Sequence, residues 1–439
     1  MEINIADRKA GLGGYFVANY PPFSFWSRPA LDDIYVRLEK AGEPDLPLGI
    51  YVHIPFCRRR CDFCYFRVYT RKSSSEIDEY IKSVVAELEI YTRQPYLADR
   101  KAAFIYFGGG TPSYLSTDQT RKLSDSMKRL MSWEDVKEVT FECEPGTLSE
   151  KKLAVLRELG VTRLSLGVES FDDAILEANG RAHSFRHIQQ AFDWARVADF
   201  PQINIDLISG MVGETDKTWR ANIEKALELS PDSVTIYQLE VPPNTFLHKR
   251  MQECDMSASS IADWPTKRRW VGEAFGMLKG AGYSPSSAYT MVNKRGQADF
   301  IYRDELWHGC DLLGLGVSSF GHLGGINAQN ESDIATYVRR ISDGELPISR
   351  AYALAAEERL IRELVLQLKT GLVDRAYFRD KFGRDPVERF GETFLQLSND
   401  GVLAFDDKEI SVTDHGLLIV DDFVRGFFLD RHVHGEGDS

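Results

Sequence analysis

Between residues 48 and 240 the chain repeats one theme: a short apolar run, a loop, then a stretch with apolar residues at helical spacing. Six runs predict strands, at Ile50–Pro55, Ala103–Phe107, Glu138–Glu142, Arg163–Val168, Ile203–Ile208 and Ser233–Leu239. Short runs rich in Val, Ile, Leu and Phe are the pattern of buried parallel strands. The helices between them carry their own start and stop signals. Ser75 opens a stretch with Ile77, Tyr80, Ile81, Val84, Val85 and Leu88 on one face, with Asp78 in the capping-box position. Ser116 and Gln119 open the next in the same way, and a third runs from Ser149 through Leu153, Leu156 and Leu159 to stop at Gly160. Six βα units in succession predict an α/β fold whose parallel sheet curls into a partial (β/α)6 barrel. Such barrels gather their chemistry at the C-terminal ends of the strands.

The flanking segments read differently. Residues 1–47 form an N-terminal arm ahead of the barrel at 48–250. Residues 251–350 are mixed and loop-rich, with a helix around Thr266–Lys279 and a glycine-rich run, GLGVSSFGHLGG, from Gly314. Residues 351–439 begin a smaller α-rich unit, with Leu360, Ile361, Leu364, Val365 and Leu368 on one helix face, then a hairpin, GVLAFDDKEISVT, and a last helix. That combination is compatible with a winged-helix-like module, but it lacks a basic recognition face, which favours packing or covering over DNA binding. The tail HVHGEGDS reads as disordered, with both of its His solvated rather than ligands.

Composition narrows the function classes. A formal charge of -13 argues against a nucleic-acid backbone as partner, because phosphate binding needs clustered Lys and Arg. No apolar run reaches the roughly 20 residues of a membrane span, and MEINIADRKAGLGG has no apolar core of a signal peptide. A cytoplasmic protein is expected. Three of the six cysteines crowd into YVHIPFCRRRCDFCYF, at Cys57, Cys61 and Cys64, directly after the first strand. Cys143, Cys254 and Cys310 are scattered and read as inert thiols.

Thiolates are the standard iron–sulfur ligands, and four are usual for a [4Fe–4S] cluster. Three leave one iron free to bind a chelating ligand. A zinc site would need a fourth donor; the nearest, His53, lies inside the strand. The spacing favours iron–sulfur. The arginines of CRRRC suit either an acidic electron donor or a substrate carboxylate, or are simply solvated.

CxxxCxxC after a first strand resembles the signature of the radical S-adenosylmethionine (SAM) superfamily, and YVHIPFC resembles its oxygen-independent coproporphyrinogen III oxidase branch. The resemblance runs from about residue 48 to 430 and includes FGGGTP (107–112), FECEP (141–145), RLSLGVES (163–170), NIDLISG (204–210), DLLGLGVSSF (311–320) and DGVLAFDDKEISVT (400–413). It implies a [4Fe–4S] cluster on Cys57, Cys61 and Cys64, with SAM on its open iron. Reductive cleavage of that SAM would then give methionine and a 5′-deoxyadenosyl radical. It also implies SAM contacts for Tyr51, Phe63, Gly109, Gly110, Thr111 and Glu142. A second SAM falls to Glu169, Arg181 and Asp206, which are also the catalytic candidates. Glu240 and Phe320 match SAM positions more weakly. From the residues alone, the glycines could equally make a tight turn, and the carboxylates could form an internal ion-pair network with Arg163 or Arg181. Charged groups on apolar strands are costly to bury unpaired; a sulfonium or ammonium would pair them.

Two departures steer the expected reaction. Phe66 stands where the oxidases carry a fourth cysteine, and Glu169 where they carry Gln, so CxxxCxxCxF resembles the haem chaperones and class C radical SAM methylases of the same branch. The first expectation is therefore methyl or methylene transfer from a second SAM to a small unsaturated metabolite, giving methylation or cyclopropanation. Oxidative decarboxylation of coproporphyrinogen III is the second, and a haem chaperone the third. A small-molecule substrate and a flavodoxin or ferredoxin electron donor are the implied partners.

Overall fold

The computed structural model describes residues 16–253, 261–294 and 299–433. The six apolar runs form β1 (Leu48–Ile54), β2 (Ala102–Gly109), β3 (Glu138–Cys143), β4 (Arg163–Glu169), β5 (Gln202–Ser209) and β6 (Ser233–Gln238), each parallel to the next. Ile50, Val52, Ile54, Phe107, Phe141, Leu164, Leu166, Ile205 and Leu207 enter the main core with Ile77, Val84 and Leu88 of the first long helix. The intervening positions, Tyr51, Tyr106, Glu142, Ser165, Asn204 and Asp206, alternate onto the opposite face. One face of the sheet is thus hydrocarbon under helices, and the other carries the chemistry.

Residues 251–350 extend this sheet at both edges rather than standing apart. β7 (Tyr283–Pro285) and β8 (Thr290–Asn293) add antiparallel strands beyond β6. β9 (Asp311–Leu315) pairs in parallel with β1 as a seventh parallel strand, followed by β10 (Phe320–Leu323), β11 (Ile326–Asn330) and β12 (Ile348–Ala353) in antiparallel order. The strand order is β12-β11-β10-β9-β1-β2-β3-β4-β5-β6-β8-β7. A buried ion pair between Arg100 and Asp311 anchors the start of β9, and Asp311 also accepts from Tyr96 Oη at 2.7 Å and Gly324 N at 2.8 Å.

The first long helix, Ser74–Thr92, is capped by Ser73 and Glu76, two residues earlier than Ser75 and Asp78. Three consecutive serines offer the same cap, and the register that closes both reciprocal hydrogen bonds prevails. Ser116 with Gln119, and Ser149, cap their helices as the sequence predicts.

Glu87 of the first helix is fully buried and clamps the loop after β9. It accepts from Gly316 N at 2.8 Å, Tyr337 Oη at 2.6 Å and Asn330 Nδ2 at 2.6 Å. Burial pushes its carboxyl up to about 8. Glu87→Gln turns an amide N–H₂ toward donors and is expected to cost about 1–3 kcal/mol. Because the native carboxyl titrates above its ordinary range, its stabilisation is full at low pH and fades as pH rises through about 8. The deficit of the variant in urea unfolding should therefore be larger at pH 6 than at pH 9.

The C-terminal unit packs helices Ala356–Gln367, Arg375–Phe382 and Gly391–Asn399 against a small sheet of β13 (Leu372–Asp374), β15 (Glu409–Val412) and β14 (Leu403–Phe405). Val17 and Tyr20 of the arm enter this second core. Its edge corrects one expectation: His432 is buried, with Nδ1 2.7 Å from Tyr20 Oη and Nε2 3.2 Å from Tyr352 Oη. His434 and Cys254 lie outside the described residues. Among the described residues no helix is long and apolar enough to cross a membrane.

Candidate active site

The cysteine loop leaves β1 at its C-terminal end and is tied down by backbone bonds: Cys57 N to Tyr69 O (3.1 Å), Tyr69 N to Pro55 O (2.8 Å) and Asp62 N to Asn179 O (3.1 Å). Cys57 is buried, while Cys61 and Cys64 are partly open. Thr111 Oγ1 donates to Cys57 Sγ at 3.3 Å, and Arg181 Nη1 to Cys61 Sγ at 3.2 Å. Thr111 follows the glycine loop that ends β2, where Gly110 N donates to Ile54 O at 2.8 Å. A Cβ on Gly109 would meet the His53 ring at 2.5 Å, and Gly109 has φ +112, so this glycine is demanded by sterics and by backbone conformation. Phe63 packs against a satellite cluster with Ile175, Ile208 and Met211.

Beside the thiols stand three carboxylates. Glu142 accepts from Tyr106 Oη at 2.8 Å and Gly109 N at 3.0 Å. Asp206 accepts from Ser165 Oγ at 2.8 Å and Asn204 Nδ2 at 2.9 Å. Glu169 lies 3.6 Å from Arg181 Nη2, which also donates to Gly167 O at 2.8 Å. The internal ion pair that the residues allow is thus present, but it engages Glu169 alone. Arg163 instead stacks 3.5 Å from the Phe300 ring centroid. Burial pushes the Glu142 and Glu169 carboxyls up to about 7, and raises Asp206 also. Glu169 adopts φ +64, at a break in the β4–β5 register. A non-glycine residue held there is strained, a feature concentrated at functional sites.

Tyr51 sits beneath, its hydroxyl 3.2 Å from His53 Nδ1 and its ring stacked 5.9 Å from Tyr106. Glu240 accepts from Phe16 N of the arm at 2.7 Å. Phe320 packs against the arm, 4.4 Å from Phe23 and 5.7 Å from Trp26. The cysteines, Thr111, Arg181 and Glu169 therefore form one connected group. Glu142 joins through Gly109, and Asp206 stands across the bulge of β4. Glu240 and Phe320 belong to the wall built with the arm. Of the loop arginines, Arg58 reaches Glu144 (3.5 Å) and the Ala182 carbonyl, and Arg60 donates to Cys64 O at 2.9 Å. Cys143 and Cys310 are buried thiols away from this loop.

Residues 51–226 match the radical SAM superfamily, and residues 354–419 match the HemN C-terminal domain. The heme chaperone HemW of Bacillus subtilis is 30% identical over 384 residues, covering 86% of this chain and 98% of that one. The chain belongs to the radical SAM superfamily. Its branch is that of the coproporphyrinogen III oxidases and their relatives: the oxygen-independent coproporphyrinogen III oxidase of Pseudomonas aeruginosa is 29% identical over 399 residues, with 87% and 85% of the two chains covered. In fold, it superposes on coproporphyrinogen III oxidase (HemN) from Escherichia coli with a TM-score of 0.82, at 24% identity and covering 94% and 96%.

Radical SAM proteins use a [4Fe–4S] cluster and SAM, and the donor set here fits both. Each cluster iron takes its own thiolate, so the ligands surround a volume instead of converging on one ion. Among the described residues, no three His, Cys, Asp or Glu converge on a single-ion site. Burial first, and then the neighbouring cysteines, push the Cys57 thiol up to about 12 and Cys64 to about 11; a bound cation reverses that preference. His53 Nε2 and Arg181 Nε are buried without partners, polar atoms left for a ligand.

Sequence reasoning missed the groups that hold the carboxylates. Tyr106, Ser165 and Asn204 sit at inward strand positions, and Asn204 accepts in turn from Ser233 Oγ (2.8 Å) and Thr235 Oγ1 (3.0 Å). Their alternation with apolar residues marks the inward face of the strands but does not single them out from its other members.

Proposed function

We propose that this radical SAM protein is an oxygen-independent oxidase that removes propionate carboxyl groups from coproporphyrinogen III. The carrying observation is the buried set of Glu142, Glu169 and Asp206, of which Glu169 faces Arg181, itself a donor to Cys61. Buried carboxylates in excess of their cations favour a cationic ligand such as SAM. Kinship with the oxidases, across 85% of the Pseudomonas aeruginosa chain, supports the decarboxylation and moves methylene transfer from first place.

Cys57, Cys61 and Cys64 would hold the cluster; with SAM bound, it supplies a hydrogen-abstracting radical. Tyr51, Phe63, Gly109, Gly110, Thr111 and Glu142 would seat that SAM. Glu169, Arg181 and Asp206 would seat a second, with Glu240 and Phe320 on the outer wall. In the net reaction each propionate would become vinyl, losing carbon dioxide, one hydrogen atom to the SAM-derived radical and one electron to a one-electron acceptor. Arg181 orients Glu169 and neutralises charge beside Cys61, while Tyr106 and the Gly109 amide fix the Glu142 rotamer. A small acidic electron donor, a flavodoxin or ferredoxin, and a cytoplasmic setting complete this reading.

Two SAM molecules per chain are expected in anaerobic equilibrium dialysis, and saturation at one would remove the second site. Cation binding needs ionised carboxylates. With Glu142 raised to about 7, SAM affinity should be full above neutrality and fall about tenfold from pH 8 to pH 6. Glu142→Gln should flatten the part of that profile that belongs to the first SAM, leaving the part carried by Glu169.

Kinship with the Bacillus subtilis heme chaperone supports a second reading, heme delivery. Tight stoichiometric heme binding, with no conversion of coproporphyrinogen III by the reduced, SAM-supplied protein, would favour it over the first.

A further inference from the structure

Glu169 reaches Arg181 from an irregular strand end. Gly167 pairs with Asp206, but the next pairing in the register is Glu169 with Leu207, so Val168 and Glu169 together span one step of β5. Ser170 N donates to Val168 O at 2.8 Å, closing a three-residue turn with Glu169 at its centre. With φ +64 at that centre, the turn is of the rare, strained form. A regular strand would carry Glu169 level with Ile208, about 3.3 Å farther along β5 and off its 3.6 Å approach to Arg181 Nη2. The irregular form therefore needs to be held. Residues 181–184, ahead of helix Phe185–Val197, grip two consecutive carbonyls there. Arg181 Nη2 donates to Gly167 O at 2.8 Å, and His183 Nε2 lies 3.1 Å from Val168 O.

A carbonyl oxygen only accepts, so the proton of this contact sits on His183 Nε2. The imidazole is buried, and its Nδ1 faces a Glu144 carboxylate oxygen at 3.7 Å, with Arg58 3.5 Å from the same oxygen. Val168 O thus takes two donors, Ser170 N along the chain and His183 across it. We propose that His183 is a positioning residue: its Nε2–H holds the Val168 carbonyl, and with it the turn that points Glu169 at Arg181. This role requires the donor at Nε2, not the bulk of the ring. Its consequence for SAM rests on the proposed second seat at Glu169, whereas the turn itself does not.

The test compares His183→Gln, which keeps a donor near Nε2, with His183→Met, of similar length but without one, in cluster-loaded protein. Crystal structures should show Glu169 still turned toward Arg181 in the Gln variant. In the Met variant they should show a regular end to β4, with Glu169 beside Ile208. In anaerobic equilibrium dialysis the Met variant should bind one SAM as the parent does and the other about tenfold more weakly, with iron content unchanged. The Gln variant should stay within about twofold of the parent for both. His183→Leu repeats the comparison should the Met variant not fold. A Met variant that keeps the positive φ at Glu169, or a Gln variant that loses it, would overturn the assignment. One SAM per parent chain, or SAM binding unchanged once the turn is lost, would uphold His183 as the holder of the turn and overturn the second seat at Glu169.

Discussion

Cys57→Ala is expected to lose its iron and fall at least about 10⁴-fold in SAM cleavage while remaining folded. The chemistry belongs to the cluster and SAM, and no side chain near the site substitutes for it. The structural cost is small by comparison. Cys57 occupies a short loop outside the regular strands, and its removal leaves the Thr111 hydroxyl without its 3.3 Å partner, about 1 kcal/mol. Circular dichroism should therefore match the parent protein while iron and sulfide analyses read background. A variant that kept its cluster and cleaved SAM would remove Cys57 from the ligand set. Cys61→Ala should behave alike, with Arg181 Nη1 losing its sulfur partner as well.

Arg181→Met is expected to be the most destabilising single change at the site. The guanidinium is buried between Cys61, the Gly167 carbonyl and Glu169. Removing one partner of a buried ion pair costs about 3–5 kcal/mol, because the other charge stays behind. The pH dependence identifies that cause. The Glu169 carboxyl already titrates near 7 with Arg181 in place, and without it moves higher. Below that range the carboxyl is neutral and its burial is tolerated; as pH rises through it, folding has to suppress an ionisation that the unfolded chain makes freely. The deficit should be small near pH 5 and largest above pH 8. Equal deficits at both would mean that Arg181 acts through packing alone. Arg181→Lys should recover part of the stability, since it restores charge without the two-pronged geometry.

The barrel strands were legible because their apolar runs are long enough to fill one sheet face. β9 was not, since DLLGL is a five-residue strand between a turn and a glycine-rich run, and its pairing with β1 spans more than 260 residues of sequence. The cap of the first helix slipped because Ser73, Ser74 and Ser75 present equivalent side chains and only the backbone decides among them. His432 sat in a polar tail with no local pattern; its burial comes from Tyr20, over 400 residues away. The cysteines and acidic strand ends could be read as chemistry because they break an apolar pattern. Their supports, Tyr106 and Asn204, could not be separated by pattern alone from ordinary inward-facing residues.

The most direct test is an anaerobic turnover of the reconstituted, reduced protein with coproporphyrinogen III and methyl-deuterated SAM, followed by mass spectrometry. The account predicts unlabelled 5′-deoxyadenosine, formed with the substrate, and a product lighter by one carbon dioxide and two hydrogens for each propionate converted to vinyl. Deuterium in 5′-deoxyadenosine or in the product would contradict it and assign the protein to methyl or methylene transfer.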